Sequence, residues 1–339
     1  PGPVSSDQSY IRTRTMTAAT GTSYVDKYAY YDGLGRPIQT VQQGITPLEN
    51  DLVTLRQYDG FGRESRTWLP AVVAGNGGAY VPLVRIMSEA KENYGDRKAY
   101  SYPIYESSPL DRVTELYGPG EKWQIADRAE RIRYLTNDGT DSLECLRFSA
   151  SDYGPTDTVV VVSGTGQYIP GEMYVSRIED EDGNAAFEFR DKRNLVVLVR
   201  QVVPTGIGRE FHDTYYLYDT AGNLRAVLPP MASASMQDGG PWSSDTSEVL
   251  RRYAYLYRYD GRNRCVAKRL PGADWIRIIY DRTDTPVFTQ DGELRLQGEW
   301  AFSIPDAFGR TTLSGVCSSA PDPASLATET VRAVPAYEE

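Results

Sequence analysis

Histidine and cysteine are nearly absent from this sequence of 339 residues, which contains one histidine and three cysteines. A structural zinc site uses four closely spaced cysteine or histidine ligands, so no such site is predicted. Cys145, Cys265 and Cys317 are odd in number and lie far apart, which predicts no disulfide framework and leaves the redox state of the thiols open. We expect no metal ion and no cofactor.

Long apolar runs and an excess of basic residues are also missing. No stretch approaches the ~18 consecutive apolar residues that cross a membrane as a helix, so no membrane span is predicted. The 36 basic residues are outnumbered by 46 acidic residues, and the net charge of −10 argues against a nucleic-acid partner, which requires a basic surface. The opening Pro1-Gly2-Pro3 shows no signal peptide, and we expect a fragment of a longer chain.

Tyrosine is plentiful, with 25 residues against 8 phenylalanines, which is typical of half-buried sheet faces. The stretch Tyr31-Asp32-Gly33-Leu34-Gly35-Arg36 returns in similar form as Tyr58-Asp59-Gly60-Phe61-Gly62-Arg63. Tyrosine favours strands, aspartate suits the first position of a type I turn, and glycine three residues later supplies the left-handed backbone that closes a β-hairpin. The motif therefore predicts a hairpin corner followed by an arginine.

The same corner is predicted at nine places, among them Asp219 with Gly222 and Asp306 with Gly309 and Arg310. When the aspartate is counted as the first residue, the fourth must tolerate a positive φ, as glycine, asparagine and aspartate do. One copy begins with Ser108 in place of the aspartate. The nine fourth residues are Gly35, Gly62, Asp111, Gly183, Asn194, Gly222, Asn263, Asp284 and Gly309. Their irregular intervals indicate degenerate hairpins along one sheet.

These stretches resemble the RHS/YD-repeat family, whose consensus is Tyr-Asp-x-x-Gly-Arg-Leu. Residues 30–41, 108–113, 117–120 and 300–310 look like the early part of large bacterial members, and the resemblance covers residues 10–313. It implies an all-β strip that, in bacterial toxin complexes and in teneurins, spirals into a hollow shell. The self-cleavage motif of many bacterial shells is missing, because Asp322-Pro323 lacks its surroundings.

The predicted fold class is all-β. We expect an irregular strip of antiparallel hairpins that forms a curved sheet, the open part of a shell, with one or two short helices in insertions. The predicted parts are a first hairpin segment with a loop and helix insertion at 1–120, a continuing sheet at 121–314 and an irregular tail at 315–339. One continuous domain is the alternative.

Hydrophobic periodicity places individual strands along this strip. Alternating residues predict a strand at 11–17, which pairs with the strand through Tyr28 and Tyr30, and another at 275–280. The unbroken apolar run at 195–199 predicts a strand that is buried on both faces.

Helices are predicted at two places before the tail. Residues 86–94 form a short helix ended by Gly95, and the capping-box spacing of 245–248 precedes a second. Residues 229–241 are predicted to be a loop of small residues. The tail after Ser314 has loop composition with one turn of helix.

Three tryptophans are candidates for holding a glycan. Exposed aromatic rings of a sheet or its loops can stack on a sugar, and Trp68, Trp242 and Trp300 are the residues in question. Packing in the core is the ordinary alternative for each of them.

Two patterns suggest other chemistry. His212 stands beside Asp213 just before a strand, as a general base and its orienting acid would, but no nucleophile motif accompanies them. Residues 179–184 place oxygens close enough for a calcium ion, although not in EF-hand order, and a solvated acidic hairpin is the simpler interpretation. We expect each corner aspartate to bind N–H groups of its own turn, and each following arginine to stack on a tyrosine.

The repetition of the corner motif indicates a structural role, because an enzyme needs its catalytic site only once. We therefore expect no enzyme but a structural segment of an RHS/YD-repeat protein, part of a shell or scaffold that encloses or displays a C-terminal effector or toxin. Its partners would be the downstream repeats and C-terminal domain of its own longer chain, secreted or at the cell surface of a bacterium. A surface carbohydrate-binding or adhesion module is the alternative, and a hydrolase using His212 is a third hypothesis.

Overall fold

A computed structural model describes residues 8–19, 21–152, 159–237, 239–320, 322–326 and 328–332. The chain divides into two compact units. Unit 1 contains residues 1–133 and 178–185, and unit 2 contains residues 134–177 and 186–339. Each unit consists mainly of antiparallel strands with a few short helices, which confirms the predicted fold class. The predicted divisions at residues 120 and 314 stay predictions.

Unit 1 is a run of antiparallel strands that pair largely in chain order. The strands are β1 Ser9–Met16, β2 Tyr24–Tyr31, β3 Pro37–Gln42, β4 Asp51–Tyr58, β5 Glu64–Trp68, β6 Ala71–Val73, β7 Tyr100–Tyr105, β8 Val113–Tyr117 and β9 Ala129–Thr136, which ends in unit 2. Strands β1 to β5 pair in succession, β4 also pairs with β6, and pairing continues from β5 through β7 and β8 to β9. Arg12 lies opposite Tyr28 and Tyr10 opposite Tyr30, which confirms the predicted pairing of the first strand.

The core of unit 1 lies on one face of these strands. In β2 the buried Asp26, Tyr28 and Tyr30 alternate with more exposed residues, which is the period of two that a pleated strand imposes. Helix α1, Leu83–Tyr94, buries Ile86 and Ala90. The buried apolar residues are Tyr28, Tyr30, Val41, Val53, Leu55, Trp68, Ala71, Val73, Val81, Ile86, Ala90 and Ala99.

Unit 2 repeats this construction over a longer stretch. Its strands are β10 Leu146–Ala150, β11 Val161–Gln167, β12 Tyr174–Glu179, β13 Ala185–Arg190, β14 Val196–Thr205, β15 Gly208–Tyr218, β16 Leu224–Leu228, β17 Trp242–Ser243, β18 Tyr255–Tyr259, β19 Cys265–Arg269, β20 Trp275–Tyr280, β21 Pro286–Gln290, β22 Trp300–Pro305 and β23 Thr311–Cys317; the last residues of β12 and the first of β13 belong to unit 1. Strands β13 to β16 and β18 to β23 pair in chain order, and β16 pairs with β18. Strands β10, β11 and β17 form a separate small sheet.

The core of unit 2 lies between the long sheet and the elements that pack on it. Val197 and Leu198 are adjacent in β14 and both buried, and since adjacent strand residues point to opposite faces, the predicted two-sided burial of this strand is confirmed. A second, smaller apolar cluster contains Ile279, Val287 and Leu326.

Two predicted helices are present, each with a corrected start, and α1 begins at Leu83, three residues before the predicted residue 86. Helix α1 ends at Gly95, whose φ of 64° lies in the left-handed region, as predicted. A second helix, α4, follows the proposed capping box at Glu248–Tyr253, but its N-cap is Ser247, whose hydroxyl accepts the N–H of Leu250 at 3.3 Å. Asp245 is therefore not the cap.

Other helices were not predicted. They are α2 Glu121–Ile125, α3 Pro230–Ser235 and α5 Gly292–Gln297, whereas α6 Pro323–Leu326 is the expected turn of helix in the tail. The loop predicted at 229–241 is wrong at its start, where Pro230 occupies the first helical turn that suits its fixed φ. At α5 the N-cap signal was present, because the Asp291 carboxylate accepts the N–H of Leu294 at 2.9 Å. Among the described helices, none has the length and apolar character that a membrane span requires.

Candidate functional site

The hairpin corners share one backbone conformation. The φ of the fourth residue is 77° at Gly35, 85° at Gly62, 51° at Asp111, 86° at Gly183, 65° at Asn194, 88° at Gly222, 59° at Asn263, 62° at Asp284 and 82° at Gly309. At the first corner the Gly35 N–H donates to the Asp32 carbonyl at 3.0 Å, and the Asp32 N–H donates to the Arg36 carbonyl at 3.0 Å. Two hydrogen bonds thus close each such turn onto the returning strand.

The corner aspartate is used within its own turn, as predicted. Asp32 Oδ1 accepts the N–H groups of Leu34 and Arg36, each at 2.9 Å, and Oδ2 accepts Arg36 Nε at 2.7 Å. The backbone hydrogen bond from Arg36 lowers the pKa of Asp32, because it favours the charged carboxylate. The same three bonds occur at the corners that begin with Asp59, Asp260 and Asp306.

A tyrosine links one corner to the next. Its hydroxyl donates to the carbonyl of the sixth residue of the preceding corner, from Tyr58 to Pro37 at 2.9 Å, from Tyr105 to Glu64 at 2.8 Å, from Tyr259 to Leu224 at 3.0 Å and from Tyr280 to Cys265 at 3.0 Å. The two partners are separated by 21, 41, 35 and 15 residues in these four cases. The contact therefore recurs although the number of residues between the tyrosine and its partner varies.

The fifth residue of a corner also reaches the next tyrosine. The guanidinium lies over the ring at 4.5 Å for Arg36 and Tyr58, 4.5 Å for Arg63 and Tyr105, and 5.0 Å for Arg264 and Tyr280. This confirms the predicted stacking at these three corners and adds which tyrosine is used, whereas Arg310 lies over Phe308. Each arginine thereby joins its own aspartate to the following copy.

The same fifth residue contacts the fourth residue of the next corner. Arg63 Nη1 donates to Asp111 Oδ1 at 2.8 Å, Arg264 Nη1 to Asp284 Oδ1 at 3.0 Å, and Asn223 Nδ2 to Asn263 Oδ1 at 3.0 Å. At the second corner the fourth residue is glycine, and a Cβ on Gly62 would lie 2.9 Å from Arg36 Nη1. In three of the four corners whose fourth residue is aspartate or asparagine, namely those of Asp111, Asn263 and Asp284, this side chain accepts a hydrogen bond from the preceding corner.

The corner that begins with Ser108 replaces the missing aspartate by another acid. Arg112 donates Nε and Nη2 to the two carboxylate oxygens of Glu106, each at 2.8 Å. The Ser108 hydroxyl donates to the same carboxylate at 2.6 Å. The hydrogen bonds from Arg112 and Ser108 lower the pKa of Glu106 to about 2.

The corner that begins with Asp281 obtains its arginine from the tail. Its fifth residue is Thr285, which cannot donate as an arginine would, and Arg332 Nη1 donates to Asp281 Oδ2 at 2.9 Å instead. The Val331 N–H donates to the same oxygen at 3.1 Å, and Arg332 Nη2 donates to the Thr283 hydroxyl at 2.8 Å. Asp281 is fully buried by these contacts.

Arg332→Ala should release the tail from this corner. Loss of a charged hydrogen bond to a buried carboxylate is expected to lower the free energy of unfolding by about 1.5–3 kcal/mol. Hydrogen exchange should show faster exchange of the amides of residues 322–332. A second substitution, Thr285→Arg, is expected to restore stability without restoring protection of the tail. The exposed Arg282→Ala is the control, and unchanged exchange in Arg332→Ala would contradict this assignment.

The three tryptophans lie in different surroundings. Trp68 is 3% exposed and its Nε1 donates to Gln57 Oε1 at 3.0 Å, so it belongs to the core of unit 1. Trp242 and Trp300 are half-buried, and each packs against an apolar cluster of unit 2. These residues were candidates because all three are tryptophans. Trp68 lies in unit 1 and the other two lie in unit 2, so they do not form one surface of a single unit.

His212 and Asp213 are placed on opposite faces of one strand. His212 lies inside β15 and not before it, which corrects the predicted position, and its side chain is 47% exposed. The Asp213 carboxylate is 17% exposed and accepts Nε and Nη2 of Arg200 at 2.8 and 2.7 Å. Since adjacent strand residues point to opposite faces, the imidazole does not meet the neighbouring acid.

The acidic corner of residues 179–184 follows the general corner pattern. Asp180 Oδ1 accepts the N–H groups of Asp182 and Asn184, and Oδ2 accepts Asn184 Nδ2 at 2.8 Å. The Asp182 carboxylate accepts Arg128 Nη1 at 3.0 Å. Within the part of the chain that the structure describes, no group of three or more histidine, cysteine, aspartate or glutamate side chains is arranged to hold a metal ion.

Comparison with known proteins gives a partial family match. The profile of a family described as "Domain of unknown function (DUF6443)" matches residues 6–136. No curated protein matches the chain.

Several solved structures share the fold. The structure of TcdB2-TccC3-TEV has a TM-score of 0.54 and 13% identity and covers 91% of this chain. TcdB2-TccC3 has a TM-score of 0.52, 14% identity and 87% coverage, and a Photorhabdus luminescens Tc holotoxin pore with a mutation in TccC3 has a TM-score of 0.52, 14% identity and 93% coverage. This chain spans 13% of the length of each of those chains.

Proposed function

We propose that this chain is a non-enzymatic structural segment of an RHS/YD-repeat protein, and that its hairpins form part of a β-sheet shell or scaffold for a C-terminal effector or toxin. The observation that carries the proposal is the tyrosine contact between successive corners, which recurs across separations of 15 to 41 residues. The fold shared with TcdB2-TccC3 supports it.

The polar groups of the motif support a wall better than a catalytic site. In the first two corners the aspartate binds its own turn, the arginine binds the aspartate and stacks on the next ring, and the tyrosine hydroxyl binds the preceding strand. The hydrogen bonds and ring contacts of these groups join one hairpin to the next. A wall needs this continuity along its length. Catalysis instead needs several polar side chains at one place that are free to contact a substrate.

The partners in this proposal belong to the same longer polypeptide. Because the chain spans 13% of each matched chain, enclosure of an effector requires further repeats after these. The protein would act outside the bacterial cell or at its surface, where a contained toxin is delivered.

Protease protection in the full gene product tests this role. The region that follows the repeats should resist protease in the wild-type protein, because the shell encloses it. In the Gly62→Val variant, heated to a temperature at which its sheet has unfolded and the wild-type sheet has not, the same region should be cleaved. The Gly60→Ala variant is the control. Equal cleavage in the wild type and in Gly62→Val would contradict enclosure.

A further inference from the structure

Three corners of unit 1 form a row along one edge of its sheet. They join β2 to β3, β4 to β5 and β7 to β8, and the three hairpins are neighbours because β3 pairs with β4 and β5 pairs with β7. Successive corners are therefore two strands apart, which is a distance of about 10 Å. Since neighbouring strands are antiparallel, all three corners lie at the same edge.

The third residue of each of these corners is a large apolar side chain that points away from the protein. Leu34 is 79% exposed, Phe61 is 86% exposed and Leu110 is 68% exposed. The N–H groups of Leu34 and Phe61 each donate to the aspartate of their own corner at 2.9 Å. The Leu110 N–H donates to the Ser108 hydroxyl at 3.2 Å. The turns thus hold all three backbones in place, and we call the three side chains the apolar ridge.

The fold does not require an apolar residue at this position. Arg193, Arg262 and Thr283 occupy it at other corners, where the residue that follows has the same positive φ. An apolar side chain that stays in water contributes no burial free energy to its own fold. Three of them in a row at one edge of unit 1 therefore indicate a contact outside the chain.

The apolar ridge is convex. A Cβ placed on Gly33, Gly35 or Gly60 would have nothing within 4 Å, so the side chains of Leu34 and Phe61 project into open space. A protein partner would need a separate pocket for each tip at the spacing of the corners. The boundary between head groups and acyl chains of a bilayer is fluid and accepts apolar side chains at any spacing.

The exposed area of the apolar ridge is too small for a stable contact with a second copy. Three side chains of this size expose on the order of 500 Å² in total. A stable protein interface buries ~800 Å² on each partner. A lipid surface sets no such minimum, because the free energy of binding increases with each apolar group that enters it.

The charged side chains of the three corners are paired with one another. Each carboxylate accepts an arginine N–H at 2.7 or 2.8 Å, and the pairs are Asp32 with Arg36, Asp59 with Arg63, Asp111 with Arg63, and Glu106 with Arg112. Four carboxylates and three guanidinium groups leave one net negative charge. This edge therefore does not attract anionic lipids, and it suits the zwitterionic head groups of a neutral bilayer.

We propose that unit 1 binds the surface of a neutral lipid bilayer through the apolar ridge. Leu34, Phe61 and Leu110 enter the boundary between head groups and acyl chains, and the paired charges of the corners stay among the head groups. The contact is peripheral and reversible, because three side chains supply about as much apolar surface as one short acyl chain. This inference goes beyond the scaffold role and does not depend on it, since the ridge lies within unit 1.

Sedimentation of the whole chain with phosphatidylcholine vesicles tests the ridge. We expect half of the protein to bind at roughly 0.1–1 mM lipid, as a single short acyl chain would. Binding should change little with the concentration of sodium chloride, because paired charges contribute little to it. Replacing part of the lipid by phosphatidylserine should not strengthen binding, since the three corners carry no net positive charge.

Substitutions at the third position of a corner identify the side chains that bind. Phe61→Thr should weaken binding at least about tenfold, because burial of a phenylalanine side chain is worth that factor or more. The turn accepts threonine here, as it does at Thr283, and Phe61→Leu should bind within about threefold of the wild type. Phe308→Thr is the matched control, since Phe308 is 84% exposed at the same position of a corner in unit 2 and should not affect binding.

Thermal unfolding of these variants should match that of the wild type, because the substituted side chains are exposed. Leu34→Thr, in a different corner, provides a second variant if Phe61→Thr unfolds, and should also weaken binding. The proposal is overturned if the chain does not sediment with the vesicles, if both variants bind as the wild type does, or if Phe308→Thr loses as much binding as Phe61→Thr. Binding that requires phosphatidylserine would also overturn it, as would self-association in analytical ultracentrifugation that Phe61→Thr removes.

Discussion

Gly62→Val is expected to lower the free energy of unfolding by about 2–4 kcal/mol. The φ of Gly62 is 85°, a region that a β-branched side chain adopts only with strain. The added Cβ would also lie 2.9 Å from Arg36 Nη1, which would displace the guanidinium from its position over Tyr58. The loss therefore combines backbone strain with a broken contact between two corners. Thermal or urea unfolding measures it.

Three matched variants separate these two causes. Gly35 has a φ of 77° with nothing within 4 Å of its Cβ position, so Gly35→Val should show the strain alone. Gly60 has no positive φ and nothing within 4 Å of its Cβ position. Gly60→Ala should therefore stay within about 0.5 kcal/mol of the wild type. Gly62→Asp should be tolerated better than Gly62→Val, because aspartate at the next corner pairs with an arginine in this geometry. Equal unfolding of Gly62→Val and Gly60→Ala would contradict the role of the positive φ.

Asp213→Ala is expected to destabilise unit 2 by about 3–5 kcal/mol, because it leaves a buried charge without its counter-ion. Arg200 is 5% exposed, and two of its nitrogens bind Asp213 while Nη1 donates to the carbonyls of Asp141 and Ser142. The guanidinium cannot reach water without breaking those carbonyl contacts. Urea unfolding followed by circular dichroism measures the loss.

His212→Ala is the control for that variant, since the histidine is adjacent in sequence and faces the other side of β15. Its effect should stay within about 0.5 kcal/mol. The double variant Arg200→Met with Asp213→Leu should recover part of the loss, because two apolar side chains leave no charge unpaired. Should Asp213→Ala unfold at the same urea concentration as His212→Ala, Arg200 would not depend on this carboxylate.

Corner positions could be read from the sequence because a turn is decided within about five residues. Aspartate at the first position and glycine, asparagine or aspartate at the fourth are residue types that this backbone requires, and all nine fourth residues have a positive φ. Alternation placed β1 and β20 for the same local reason. Short helices such as α2 and α3 were not predicted, since a helix of one or two turns depends more on packing than on its own residues.

Candidate sites were harder to predict, because their residues are distant in sequence. Leu34, Phe61 and Leu110 carry no local signal that distinguishes them from other apolar residues, and their place at one edge follows from the pairing of β3 with β4 and of β5 with β7. Adjacent His212 and Asp213 suggested a pair, yet the pleat of the strand turns them to opposite faces. Sequence adjacency and spatial adjacency differ most within a strand.

By itself the sequence determined the nine hairpin corners and the strands with clear alternation, such as β1 and β20, since both depend on the stereochemistry of neighbouring residues. Only the tertiary structure decided which corners touch. It brought Tyr105 to Glu64 across 41 residues and Arg332 to the corner of Asp281. Such contacts depend on strand register and on how insertions are accommodated, and neither is encoded within the four or five residues of a single turn.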